Sequence, residues 1–299
     1  MILQTIKQIS CLLCLCCFLQ QSAFSQDDKD KPAYTLFDNT GKQISYGELI
    51  KRLSGYDVIF LGELHNCPIT HWLEFEITRS IYNIHKDQLM LGAEMFESDN
   101  QLIFDEYMQQ KISHDRFEAE ARLWDNYRTD YYPVVFFAKE HHIPFIATNI
   151  PRRYANIVKN KGFEALDSLS EEAKRYIAPL PIDFEYDEAQ SAAAFSMMNM
   201  MGGRRAGDNR KLAQAQAIKD ATMGWFIARN IKNKFLHING SYHSNRQGGI
   251  IPYLLRYRPN TSIVTVTSVR QESIRKLDDD HKGLADFYIC VPEDMVNSY

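Results

Sequence analysis

Short uninterrupted apolar runs alternate along the chain with longer stretches whose apolar residues recur every three or four positions. The short runs read as strands buried on both faces, and the longer stretches as helices with one inward face. The first clear strand covers 57 to 61, with β-branched Val58 and Ile59, and Pro68 to His85 follows as an amphipathic helix. Its inner face is Ile69, Trp72, Leu73, Phe75, Ile77 and Ile81. Further strands are expected at Leu89 to Met95, Ile143 to Ala147, 234 to 239, Ser262 to Val269 and Phe287 to Val291. Helices are expected from a Ser45 cap through Leu53, within the aromatic-rich stretch Gln101 to His142, and over Lys211 to Lys232 and Ile250 to Arg256. Tyr34 to Phe37 and Lys42 to Ile44 read as a small hairpin around Asn39-Thr-Gly41, and 151 to 201 as helices and loops broken at Gly162, Pro179 and Pro181.

Strands separated by helices predict an α/β fold: a mainly parallel sheet flanked by helices, with a helical subdomain from insertions at about 101–142 and 151–232. In such sheets ligands collect beyond the carboxyl ends of the strands. Glu63, His65, Glu94, Asn149 and His243 all follow predicted strand ends, which brings them to one edge. Two strands finish in Gly-x-x-His, as Gly62-Glu-Leu-His65 and Gly240-Ser-Tyr-His243. Glu94 lies in the apolar run Gly92-Ala-Glu-Met-Phe96, where an unpaired carboxylate is costly, so it needs a partner. Two carboxylates and two imidazoles suit a divalent metal or acid/base chemistry. Glu63, His65, Glu94 and His243 are therefore both the candidate metal ligands and the candidate catalytic set of a hydrolase. The spacing is not the His-Glu-x-x-His of zinc proteases, and a strand-end histidine is often only a hydrogen-bonding cap. His71, early in its helix, either joins this edge or faces solvent.

The first 25 residues carry one positive charge, Lys7, then an apolar run from Ile9 to Leu19 and Ala23-Phe-Ser25 before Gln26. This reads as a signal peptide over 1–25 ahead of a single domain over 26–299, with export to the periplasm or outer membrane. The run is too short to span a membrane. Cys14, Cys16 and Cys17 keep a lipid anchor open, although no Leu-small-small-Cys precedes them. Of six cysteines, Cys67 and Cys290 remain, either bridged in an oxidising compartment or as two separate buried thiols. A net charge of −4 supplies no basic excess for nucleic acid. With 45% hydrophobic residues, 299 positions suffice for one large α/β domain.

Several of these motifs together resemble the ChaN family: Gly62-Glu-x-His65 with His71, Gly92-Ala-Glu-Met-Phe96, Ala147-Thr-Asn149 followed by Arg152, Gln216-x-x-x-Asp220-x-x-Met223, and Asn239-Gly-x-x-His243 with Gly249-Ile-x-x-Pro252. The resemblance runs over roughly 35 to 290. It implies a bacterial haem-binding envelope protein, related to the Tiki/TraB and erythromycin-esterase group, that acts in haem or iron uptake. It also implies a homodimer around bound haem, a tyrosine on the iron, and an outer-membrane haem receptor as partner. Related groups use the paired Gly-x-x-His and glutamates for metal-dependent or acid/base hydrolysis. No Cys-x-x-Cys-His is present for covalent attachment of haem.

The residues also offer haem a home. Met197, Met198, Met200 and Met201 form a soft apolar segment, and Trp124, Tyr127, Tyr131 and Tyr132 an aromatic one. Met197, Met198 and Met201 are the cofactor-binding candidates here, while Arg152, Arg204 or Arg205 would meet the propionates. Tyr131 is the first choice of iron ligand and Tyr242 the second. Methionine and aromatic stripes at helical spacing are more often core. Three roles compete: a haem-binding uptake protein, a metal-dependent hydrolase, and a binding or structural protein whose polar edge only stabilises loops.

Overall fold

The structure, a computed structural model, describes residues 31–187 and 208–299. The expected signal peptide, Met197, Met198, Met201, Arg204 and Arg205 lie outside the described residues. Met1–Ala33 separates as its own unit, and Tyr34–Tyr299 forms the folded body.

Seven strands make one sheet: β1 (Thr35–Asp38), β2 (Val58–Glu63), β3 (Leu89–Glu97), β4 (Phe145–Asn149), β5 (Lys234–Gly240), β6 (Ile263–Gln271) and β7 (Phe287–Pro292). Their order is β1-β7-β6-β2-β5-β3-β4. Every neighbouring pair is parallel except β1 with β7. The central strands β2, β3 and β5 are buried at every position, which is why they read as short, mostly apolar runs. The expected hairpin-like turn around Asn39-Thr-Gly41 forms with an antiparallel bridge between Phe37 and Gln43, Asp38 N–H donating to Lys42 O and Ile44 N–H to Leu36 O, both at 2.9 Å. The other side of β1 adds to the sheet edge with Thr35 opposite Cys290. A four-residue strand buries more apolar surface on an existing sheet than in an isolated pair.

Among the described residues, eight helices of seven or more residues place the connections: α1 (Tyr46–Leu53), α2 (Pro68–His85), α3 (Gln101–Met108), α4 (His114–Glu120), α5 (Tyr132–Glu140), α6 (Arg152–Lys161), α7 (Asn209–Asn230) and α8 (Ile250–Tyr257). Ser45 caps α1 by accepting from the Glu48 N–H, and Pro68 opens α2 where a missing N–H does no harm. The aromatic stretch from 101 onward is core: Phe96, Phe104, Phe117 and Phe145 meet edge to face beneath α3 and α4. The two helical insertions therefore part company. The first completes the main core, whereas Ile150, Tyr154, Val158, Leu166 and Ile177 form a satellite core with Ile218 of α7.

On the opposite face α7 and α8 pack over Val58, Phe60 and Phe235. Their approach requires Gly224, because a Cβ there would lie 2.9 Å from Leu254 N and 3.1 Å from Ile250 O. Gly224→Ala gains about 0.8–1 kcal/mol of helix propensity but overpacks against backbone at a cost of about 1–3 kcal/mol, so we expect net destabilisation of about 1 kcal/mol in urea unfolding. Unchanged or raised stability would show that the two helices separate freely.

His237, fully buried in β5, lies 2.8 Å from Thr148 Oγ1 through Nε2 and 3.0 Å from Asn239 Oδ1 through Nδ1. Burial pushes its pKa down to about 4. The unfolded chain, with a histidine near 6.5, then binds a proton that the folded chain refuses, so this group's contribution to stability is lost as pH falls from about 6.5 towards 4. The stability gap between the wild type and His237→Gln should narrow between pH 7 and pH 5. A gap that is constant or widens on acidification would contradict a buried neutral imidazole.

Candidate functional site

The parallel arrangement brings the ends of β2, β3 and β5 to one edge. Gly240, the last residue of β5, makes the junction possible: a Cβ there would sit 2.8 Å from His65 Nε2 and 3.4 Å from Glu94 Oε2. Its N–H donates to Glu94 Oε2 at 2.8 Å, and His243 Nε2 stands 3.2 Å from Glu94 Oε1. Behind the imidazole, His243 Nδ1 is 2.5 Å from Asp220 Oδ1 on α7. The loop returns tightly through Gly249 at φ +56°, where a Cβ would fall 2.2 Å from His243 O. Burial alone would push the His243 pKa down, but the charges of Glu94 and Asp220 outweigh it and raise it to about 10. Burial likewise opposes ionisation of Glu94, yet His243 holds its pKa well below the usual carboxylate range. Asp220 is pushed up, mainly by burial. The result is a carboxylate–imidazolium–carboxylate chain in the interior.

A second cluster begins at Glu63, the last residue of β2. Its Oε1 accepts from Tyr131 OH at 2.8 Å and lies 2.5 Å from His65 Nδ1, while Oε2 lies 3.6 Å from His71 Nδ1. His71, in the first turn of α2, also brings Nδ1 to 3.2 Å from Glu74 Oε2. Its Nε2 is 3.0 Å from His65 O and 3.4 Å from Asp130 Oδ2. A π-helical turn over Tyr127–Tyr131 delivers both Asp130 and Tyr131. Asn126 Nδ2 and Ser298 Oγ donate to Asp130 Oδ2 at 2.8 and 2.9 Å. Burial pulls the His71 pKa down, but the hydrogen bond and charge of Glu74, with Glu63 and Asp130, raise it to about 10. Burial, reinforced by the Glu63 charge, pushes the Glu74 carboxyl well up. Glu63 Oε2 and Glu74 Oε1 have no hydrogen-bond partner among the described residues.

Glu63, His65, Glu94 and His243 thus reach one edge as two linked pairs, with the His65 ring between them. His65 is the open member: its side chain is 27% exposed, beside the Trp124 ring at 5.1 Å. Burial, the largest single influence, lowers the His65 pKa, but the bond and charge of Glu63 together with the charge of Glu94 raise it above the ordinary histidine value. His71 is buried within the edge rather than turned to solvent. Asn149 ties strand ends together, donating to Glu94 O and accepting from Ile150 N–H. Tyr131 is buried with its hydroxyl committed to Glu63, whereas Tyr242 is half-buried, edge-on to the His243 ring at 5.2 Å. Arg152 Nε donates to Glu97 Oε1 at 2.6 Å, and Arg122 Nε to Glu97 Oε2 at 2.9 Å. Cys67 and Cys290 are separate buried thiols. Sequence reasoning missed Glu74 and Asp130. Glu74 carried a signal, three residues after His71 on a face shared with Ile77 and Ile81, but Asp130 carried none because its aim depends on the π turn.

The fold is similar to that of ChaN of Campylobacter jejuni, described for cofacial haem binding, at 19% identity and a TM-score of 0.66 over 90% of this chain and 98% of that one. More distant are a Bacillus cereus protein (11% identity, TM-score 0.49, 87% and 95% covered) and a variant of the erythromycin esterase EreC in its open conformation (10%, 0.49, 86% and 97%). No curated protein matches the sequence. A family model described as haem-binding uptake, Tiki superfamily, ChaN matches residues 49–254, a span that contains Glu63, His65, His71, Glu74, Glu94, Asp220 and His243. The chain belongs to this ChaN family of the Tiki superfamily.

Proposed function

We propose that this protein binds haem at the carboxyl edge of its sheet and serves haem or iron uptake in the bacterial envelope. The family match over 49–254 carries this reading, and the edge supports it with two ring side chains open to a ligand, His65 and Tyr242. Tyr242 is the stronger iron ligand of the two tyrosines, because the Tyr131 hydroxyl is already spent on Glu63. Trp124 beside His65 offers an aromatic wall, and the exposed guanidinium of Arg152 retains donors for a propionate after its Nε bonds Glu97. Export by the amino-terminal segment, a dimer closing over the haem, and delivery by an outer-membrane receptor complete the reading.

Hemin titration of the purified protein, followed by absorbance, should give a saturable Soret change near one hemin per chain. Tyr242→Phe should weaken binding at least tenfold, about 1.4 kcal/mol, while Tyr131→Phe leaves it within a factor of two or so. No saturable change would sink the haem reading, and a loss confined to Tyr131→Phe would move the ligand there.

The Asp220–His243–Glu94 chain favours a second reading, acid/base hydrolysis at the same edge. An ionised Glu94, fixed by the imidazole with Asp220 behind it, raises the pKa of the neighbouring His65, and His65, the open member of the edge, is placed to exchange a proton with water. Turnover of simple aryl esters should then fall about 10²–10⁴-fold in Glu94→Gln. Equal rates for the variant and the wild type would reject it.

A further inference from the structure

We propose that Glu63, His71 and Glu74 form a site for one divalent transition-metal ion, with zinc the natural probe, distinct from the Glu94–His243–Asp220 chain. The three side chains are buried, and one donor atom from each lies within 4.8 Å of the others. What makes this a built site is the direction of the His71 ring. Its Nε2 faces two acceptors, His65 O at 3.0 Å and Asp130 Oδ2 at 3.4 Å, so that nitrogen carries hydrogen. Nδ1 is left facing Glu74 Oε2, 3.2 Å away, and Glu63 Oε2, 3.6 Å away. Two carboxylate oxygens converge on one ring nitrogen, a point that favours positive charge: a proton on Nδ1 supplies it in the metal-free protein, and a bound metal ion would take that proton's place.

A proton on Nδ1 satisfies one carboxylate oxygen and leaves the others. Glu63 Oε2 and Glu74 Oε1 are both without a hydrogen-bond partner, on residues 1% exposed. A metal ion takes the imidazole and both carboxylates together, and its double charge offsets theirs. The two distances from His71 Nδ1, 3.2 and 3.6 Å, agree with bonds of about 2.0–2.2 Å at tetrahedral angles, which set donors roughly 3.3–3.6 Å apart. An Nε2–H held by a backbone carbonyl and a carboxylate is also how metal-binding histidines are oriented, with Asp130 itself fixed by Asn126 and Ser298. One imidazole with two carboxylates suits zinc or manganese rather than calcium, which takes oxygen alone, or copper(I), which prefers sulfur. The site stands whether or not the protein binds haem.

The test is calorimetric titration of the chelator-stripped protein with zinc, without hemin, together with metal analysis. One zinc per chain is expected, with Glu74→Gln weakening it at least tenfold and Glu94→Gln leaving it unchanged. Because Glu74→Gln can disturb packing, cobalt added to the wild type gives a second measurement: paramagnetic displacement of the His71 ring resonances in NMR. Absence of stoichiometric zinc, retention of zinc by Glu74→Gln with loss in Glu94→Gln, or undisturbed His71 resonances with cobalt would each overturn the assignment.

Discussion

A carboxylate buried at the end of a central strand sets the terms for everything around it. Glu63 is 1% exposed, and an isolated charge so placed costs at least several kcal/mol. The fold answers by sending four side chains from three elements to it. The β2 end itself supplies His65, the first turn of α2 supplies His71, the π turn supplies Tyr131, and α2 adds Glu74 one turn later. A π turn is a rare departure from helical winding, and here its product is specific. It aims Tyr131 at Glu63 and Asp130 at His71 from adjacent positions.

Glu94 and Glu74 show how neighbours decide the behaviour of chemically equal groups. Both are buried, and desolvation pushes both towards the neutral acid. Glu94 meets a backbone N–H from Gly240 and an imidazolium, so the charged form wins. Glu74 shares its space with a second carboxylate, so the same burial prevails. The edge therefore holds one acid that stays ionised and one that resists ionisation, within a single wall of side chains. Such divergence is typical of functional sites rather than of structural ion pairs, because a fold seeking only stability gains little from burying three carboxylates around one imidazole.

The strands were legible because their burial is simple: all seven sit within two residues of the runs read from the sequence, and α2 matches at both ends. The carboxyl-edge rule then located Glu63, His65, Glu94 and His243 without contact information. Failures came where long-range choice mattered. Nothing local told β1 that β7, about 250 residues on, would be its partner in the sheet, and nothing fixed the aromatic helices as core until Phe96 and Phe145 met them. His71 was ambiguous for a related reason. A histidine and a glutamate three apart on a helix ordinarily face water, and only the approach of Glu63 and Asp130 from other elements makes them interior.

Placing a porphyrin over such an edge raises an energetic objection, since covering charged groups removes their hydration. Internal pairing answers much of it. Glu94, Asp220 and His243 neutralise one another out of contact with water before any ligand arrives, and Glu63 is likewise enclosed. An apolar disc docking at the mouth would desolvate chiefly the His65 ring and the Tyr242 phenol, groups that are themselves half aromatic surface. On the proposed reading, the buried polar network would support an apolar ligand above it through a simple division. Charge is settled beneath the rim, and the rim itself presents rings.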